Sequence, residues 1–204
     1  MRENRKWRAA LFIFLCAILF SLLSCATPPA RISAPLDIKD EPDKIASTVG
    51  LYLAPETRAY VLKDKYDRVL QIGAGVEKNG AQSLQKVIRE VALAQPGDKS
   101  SRPVLEVRID DSSKLETGFT LMSTKTVVLV LKCTLKNRAG KTVWETTVSG
   151  RGSKDNPKGW WAGLWRPYAV RKDSEALGLA GDAALHQCLE ALNAQIVKNR
   201  RQFS

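Results

Sequence analysis

Lys125-Thr-Val-Val-Leu-Val-Leu-Lys-Cys-Thr-Leu-Lys136, then Asn137-Arg-Ala-Gly140, then Lys141-Thr-Val-Trp-Glu-Thr-Thr-Val-Ser-Gly-Arg151 is the stretch on which the fold turns. Two runs rich in β-branched residues flank a short polar loop, and Gly140 suits a backbone position with positive φ. This reads as a β-hairpin. With 137–140 as the loop, Lys136 opposes Lys141, Cys133 opposes Trp144, Leu131 meets Thr146 and Leu129 meets Val148. Val127, Leu129, Leu131, Cys133, Leu135, Trp144 and Val148 then share one face. Lys132, Thr134, Lys136, Glu145 and Thr147 share the other, with Val128, Val130 and Val143 as apolar exceptions. One consistent apolar face on both strands implies a sheet buried on one side, which helices must cover.

The segments on either side supply the cover and the rest of the sheet. Asp173 to Asn199 reads as a long helix whose stripe is Leu177, Gly181, Ala184, Leu185, Cys188, Leu192 and Ile196. Its basic end, Lys198 to Arg201, suits the helix dipole. Pro103–Asp110 alternates as a half-buried strand, and Asp111–Thr120 reads as a polar connection. Leu84, Val87, Ile88 and Val91 recur at helical spacing, which predicts a helix over Gly80–Ala94, capped by Asn79 and stopped by Pro96-Gly97. Thr48–Leu53 alternates as a first strand ended by Pro55. Arg58–Leu62 and Arg68–Ile72 are two short strand candidates around a turn at Asp64-Lys65. The expected class is α+β: an antiparallel or mixed sheet of about four to six strands with two helices on one face.

The chain of 204 residues carries a formal net charge of +11. Its basic residues are mostly interspersed with acids, so a solvated surface explains them as well as an anion partner does, and nucleic acid is not expected. Residues 45–204 suffice for one domain with a real core.

The first 24 residues have a different character. Arg2, Arg5, Lys6 and Arg8 precede an apolar run from Ala9 to Leu23 of about 15 residues, short of the roughly 20 a spanning helix needs. Leu22-Leu23-Ser24-Cys25 follows and resembles the lipobox of bacterial lipoprotein signals. That resemblance implies cleavage before Cys25, diacylation of its thiol and usually acylation of its new amine. Two or three chains hold a protein firmly to its bilayer. Ala26 in place of Asp implies, by the same resemblance, the outer membrane facing the periplasm. Residues 25–44, with Pro28, Pro29, Pro35 and Pro42, read as a lipidated, extended tether.

Four further features are candidate sites. Trp160, Trp161 and Trp165 fall within six positions of a loop over 156–172, beside Tyr168 and flanked by Lys158, Arg166, Arg171 and Lys172. Such side chains suit a membrane or partner interface, or a lid folded back on the sheet. Cys133 and Cys188 both lie on core faces in an oxidising compartment. They are candidates for a disulfide or for two buried thiols. His186, between Asp182 and Glu190 on one helical face, reads as solvated rather than as a metal or catalytic centre. Gly73, Gly75 and Gly80 read as a strand-to-helix turn, since their spacing matches no phosphate-binding fingerprint.

The order of elements, with Gly140-Lys-Thr-Val-Trp144 and Val148-Ser-Gly150, resembles small envelope lipoproteins of the YajG and lipopolysaccharide-assembly (LptE-like) kinds. The expected function is that of a non-enzymatic, lipid-anchored assembly, accessory or structural component with an envelope protein partner. It would need no cofactor or metal beyond the covalent lipid on Cys25. The alternative is a binding module for an anionic glycan or lipid, and an envelope enzyme ranks below both.

Overall fold

The computed structural model describes residues 29–32, 37–95, 102–118, 123–155 and 166–203, with side chains from 171 onward in the last range. The strands are β1 (Ala30–Arg31), β2 (Ile45–Leu53), β3 (Val61–Lys63), β4 (Val69–Gln71), β5 (Ile88–Leu93), β6 (Val104–Ile109), β7 (Lys114–Thr117), β8 (Lys125–Lys136) and β9 (Thr142–Lys154). The helices are α1 (Pro55–Arg58), α2 (Gly73–Leu84) and α3 (Arg166–Lys198), followed by a 3-10 turn over Arg200–Gln202. The fold is α+β, as expected.

β8 is the axis of a six-stranded sheet. β9 pairs along its whole length on one edge. On the other edge β6 takes Leu131–Lys136 and β7 takes Lys125–Val128. Between them the Ser113 hydroxyl accepts the Val130 amide at 2.9 Å, replacing the ladder bond that the bend at 110–113 interrupts. β2 lies parallel to both β6 and β5, so the sheet is mixed. A second, three-stranded sheet runs β1-β4-β3. Leu51, Leu105 and Leu135 stand side by side across three strands and are almost completely buried.

The hairpin exists, and the predicted core residues of β8 are all buried. Its register differs by two. Leu135 opposes Trp144, Cys133 opposes Thr146 and Leu131 opposes Val148. The loop is five residues long because the Asn137 side chain takes it over, accepting the amides of Ala139 and Lys141 at 3.0 Å each. A ladder irregularity at Leu135/Lys136 absorbs the extra residue. Gly140 has φ +76°, as its place in the turn demands. A shift of two conserves the faces, so Trp144 and Val148 stay on the side assigned to them.

The predicted helix over Gly80–Ala94 is overturned. Helix α2 occupies Gly73–Leu84, and Ile88–Leu93 is β5, paired in parallel with β2 from Ile45 to Leu51. Asn79, the expected cap, is buried inside α2. Gly73 and Gly75, read as a turn, belong to that helix. Glycine disfavours a helix by about 1 kcal/mol relative to Ala, so propensity argues against this segment. Packing decides it: a Cβ on Gly73 would strike the carbonyls of Thr57 and Arg58. The polar connection expected over Asp111–Thr120 contains a strand, β7.

Helix α3 lies across β8 and β9 on the core face, and its predicted stripe from Leu177 to Ile196 is buried. Gly150 and Gly152 of β9 make this approach possible. A Cβ on either would run into the helix backbone, at the carbonyl of Ala184 and of Ala180 respectively. Helix α2 covers the same face over β2, with Gly80 above Leu51.

Candidate functional site

Cys25, Trp160, Trp161 and Trp165 lie outside the described residues, and Tyr168 is described only as backbone in the first turns of α3. The chain beside them is informative. Part of the expected tether lies against the domain. Ala30 is buried and pairs with Leu70, and Ile38 is buried too. This segment follows α3 toward its C-terminal end. Arg31 sits against Gly178, Ile32 against Gly181 and Asp37 against His186, and Asp43 meets Arg200. Ala30–Ile32 therefore lie beside the N-terminal half of α3. The segment bearing the three tryptophans is bounded there as well, by Lys154, which pairs with Lys125, and by Arg166. Cys25 is five residues from Ala30, which limits its reach to about 17 Å.

A buried ionic cluster braces this same end. Lys125 is wholly buried, and its Nζ lies 2.6 Å from Asp173 of α3. Arg68 of the segment before β4 approaches Asp173 at 3.4 Å and Asp64 at 3.7 Å. Burial works to raise the Asp64 carboxyl. The Thr117 hydroxyl, the amides of Arg68 and Tyr66 and the Arg68 charge outweigh it and hold the group below the ordinary carboxylate range.

Cys133 and Cys188 are both buried, on β8 and on the facing side of α3, and stand as free thiols. Cys188 Sγ donates to the Leu129 carbonyl at 3.1 Å. Burial pushes both thiols up to about 12, with the neighbouring Cys188 adding to the effect on Cys133. His186 is less solvated than its helical face implies. Its Nε2 lies 3.2 Å from the Asp37 carbonyl, Nδ1 lies 3.5 Å from Glu190, and Asp182 is buried. The N-terminal segment laid along α3 accounts for this, and a helical wheel cannot anticipate it. Among the described residues no group of three or more His, Cys, Asp or Glu gathers in a metal-binding arrangement. No described helix is long and apolar enough to cross a membrane.

The opposite end of the molecule holds a site that sequence reading missed. The hairpin turn, the starts of β2 and β5, the entry to β6 and the C-terminal tail enclose a groove of about 1020 Å³. Arg89, Arg102, Arg138 and Arg201 line it, with Glu90 the one acid. These arginines are spread over more than one hundred positions, so no basic run advertises them. Only Arg201, in the basic tail, stood out.

No protein-family model and no curated relative matches this sequence. Several solved structures resemble it at low identity. A minor lipoprotein from Acinetobacter baumannii gives a TM-score of 0.45 at 14% identity, over 78% of this chain and 96% of that one. A hypothetical protein from Chlamydia trachomatis gives 0.42 at 11%, over 76% and 99%. A candidate lipoprotein from Caulobacter crescentus gives 0.41 at 9%, over 74% and 91%.

Proposed function

We propose that this protein is a non-enzymatic lipoprotein of the bacterial envelope, anchored through lipid on Cys25. It faces the periplasm from the outer membrane and serves as an accessory, assembly or structural component for an envelope protein partner. The observation that carries this reading is Leu22-Leu23-Ser24-Cys25 placed directly after a charged start and an apolar run. The course of the N-terminal segment supports it. Ala30 lies at the end where the tryptophan-bearing segment is bounded, so a lipid on Cys25, five residues earlier, would bring Trp160, Trp161, Trp165 and Tyr168 toward the bilayer or a partner beside it.

The test is metabolic labelling with a palmitate analogue, followed by membrane fractionation. Wild type should take up label and sediment with membranes. Cys25→Ala should take up none and move to the soluble fraction, and unchanged labelling of that variant would refute the anchor. Replacing Trp160, Trp161 and Trp165 together by Ala should weaken crosslinking to a partner while leaving the thermal melt in place. A collapse of the melt would instead identify a lid. A second reading, binding of an anionic glycan or lipid, draws on the arginine-lined groove.

A further inference from the structure

The groove gathers arginines, a side chain that elsewhere among the described residues is mostly paired with a carboxylate. Arg58, Arg68, Arg108, Arg151, Arg171 and Arg200 each lie within 4.0 Å of a carboxylate. Arg89, Arg138 and Arg201 form no ion pair among the described residues, and all three line the groove together with Arg102. Glu90 offsets part of this charge but pairs with none of the three within 4.0 Å, its Oε2 accepting the Thr48 hydroxyl at 2.8 Å. Arg31, the other described arginine without a carboxylate, is at the opposite end, against Gly178.

The backbone under these arginines is held in place. Asn137 clamps the turn that carries Arg138. Phe203 is fully buried and meets Trp144 edge-on at 5.1 Å, which fixes the tail carrying Arg201. Arg89 belongs to β5, between Ile88 and Glu90, which pair with Ile45 and Thr48 of β2. Like charges gathered in one concavity raise the local concentration of anions. Guanidinium groups grip carboxylates and phosphates with two parallel hydrogen bonds. The volume lies at the top of the range of about 300–1,000 Å³ for small-molecule sites, so it suits several sugar units better than a single ion.

We propose that this groove binds an acidic glycan, a carboxylate-bearing polymer of the cell wall, several units at a time. The choice of wall polymer over a lipid headgroup rests on the reading of Cys25 as the anchor. From Gly178, beside Arg31, to Lys198 helix α3 advances about 30 Å. The groove lies at that far end, on the side of the molecule away from the bilayer that Cys25 would hold.

The experiment uses the full chain with its lipid, in detergent micelles, sedimented with purified peptidoglycan sacculi. Wild type should co-sediment in low salt and be released as salt rises. Joint reversal of Arg89→Glu, Arg138→Glu and Arg201→Glu should weaken binding about tenfold or more, with an unchanged thermal melt. The control reverses the exposed Lys63→Glu, Lys78→Glu and Lys154→Glu and should retain most of the binding. Equal loss in both triple variants would reduce the effect to diffuse charge and overturn the site. So would binding that the groove variant retains, or wild type that ignores sacculi but binds phosphatidylglycerol vesicles through the same arginines. Cys25→Ala keeps the two ideas apart: it should still bind sacculi through the groove, whatever palmitate labelling says of the anchor.

Discussion

Lys125 is the residue whose environment is least forgiving. It opens β8, is wholly buried, and neutralises Asp173 of α3 at 2.6 Å, while Arg68 links the same aspartate to Asp64. The cluster ties the small sheet, the large sheet and the long helix together at the end where Ala30 pairs with Leu70. Removing one member of a buried ion pair leaves the other charge without compensation, which costs about 3–5 kcal/mol. Lys125→Ala should therefore lower the unfolding free energy obtained from urea titration by an amount in that range. Exchanging both partners, Lys125→Met with Asp173→Leu, removes the orphaned charge and should restore most of the stability. If the single substitution melts within about 1 kcal/mol of wild type, the pair is not the brace described. Position 125 drew notice in the sequence only as the polar edge of a strand, because the carboxylate that makes it a core residue comes from 48 positions away.

At the scale of elements, the pairing of α3 with β9 depends on Ser149-Gly150-Arg151-Gly152. Helix backbone occupies the space where side chains at 150 and 152 would stand. Gly152→Ala should push the helix off the strand and destabilise the domain by about 1–3 kcal/mol, the usual cost of overpacking. Faster hydrogen exchange in α3 should accompany it, and a melt identical to wild type would contradict this account. The same contact explains what was legible in the chain. The hairpin, β6 and α3 were readable because each buries one face, and burial writes a period of two or 3.6 into the sequence. Residues 73–93 were not. Gly73 serves contacts with Thr57 and Arg58 and Gly75 one with Ile32, and the spacing of Leu84, Val87, Ile88 and Val91 fits a helix as well as it fits a helix end plus a parallel strand. The groove was illegible for a related reason. Its arginines come from four separate segments, and their convergence on one groove is a property of the folded surface alone.

Across the whole molecule, buried ionisable groups set limits on both sides of neutrality. Burial works to raise Asp64 and Glu106. The Thr117 hydroxyl and backbone amides at Asp64, and Lys136 and Arg108 at Glu106, prevail and hold both below their ordinary values of 3.8 and 4.5. Groups depressed in the folded state contribute stability that is present above those values and is lost as pH falls through the folded ones. Cys133 and Cys188 have the opposite sense. Burial raises both from 9.0 to about 12, so their contribution is complete below pH 9 and disappears as pH climbs from there toward 12. Urea midpoints measured against pH should form a plateau that falls below about pH 4.5 and again above pH 9. Glu106→Gln should flatten part of the acid limb. Cys133→Ala with Cys188→Ala should flatten the alkaline limb, although this variant starts from a lower plateau because it empties volume beneath α3. The absolute stability and the slope above pH 9 thus respond in opposite directions to one pair of substitutions. An alkaline limb that keeps its full slope without the two sulfurs would assign it to other groups, of which Lys132, raised by its contact with Asp110, has the same sign.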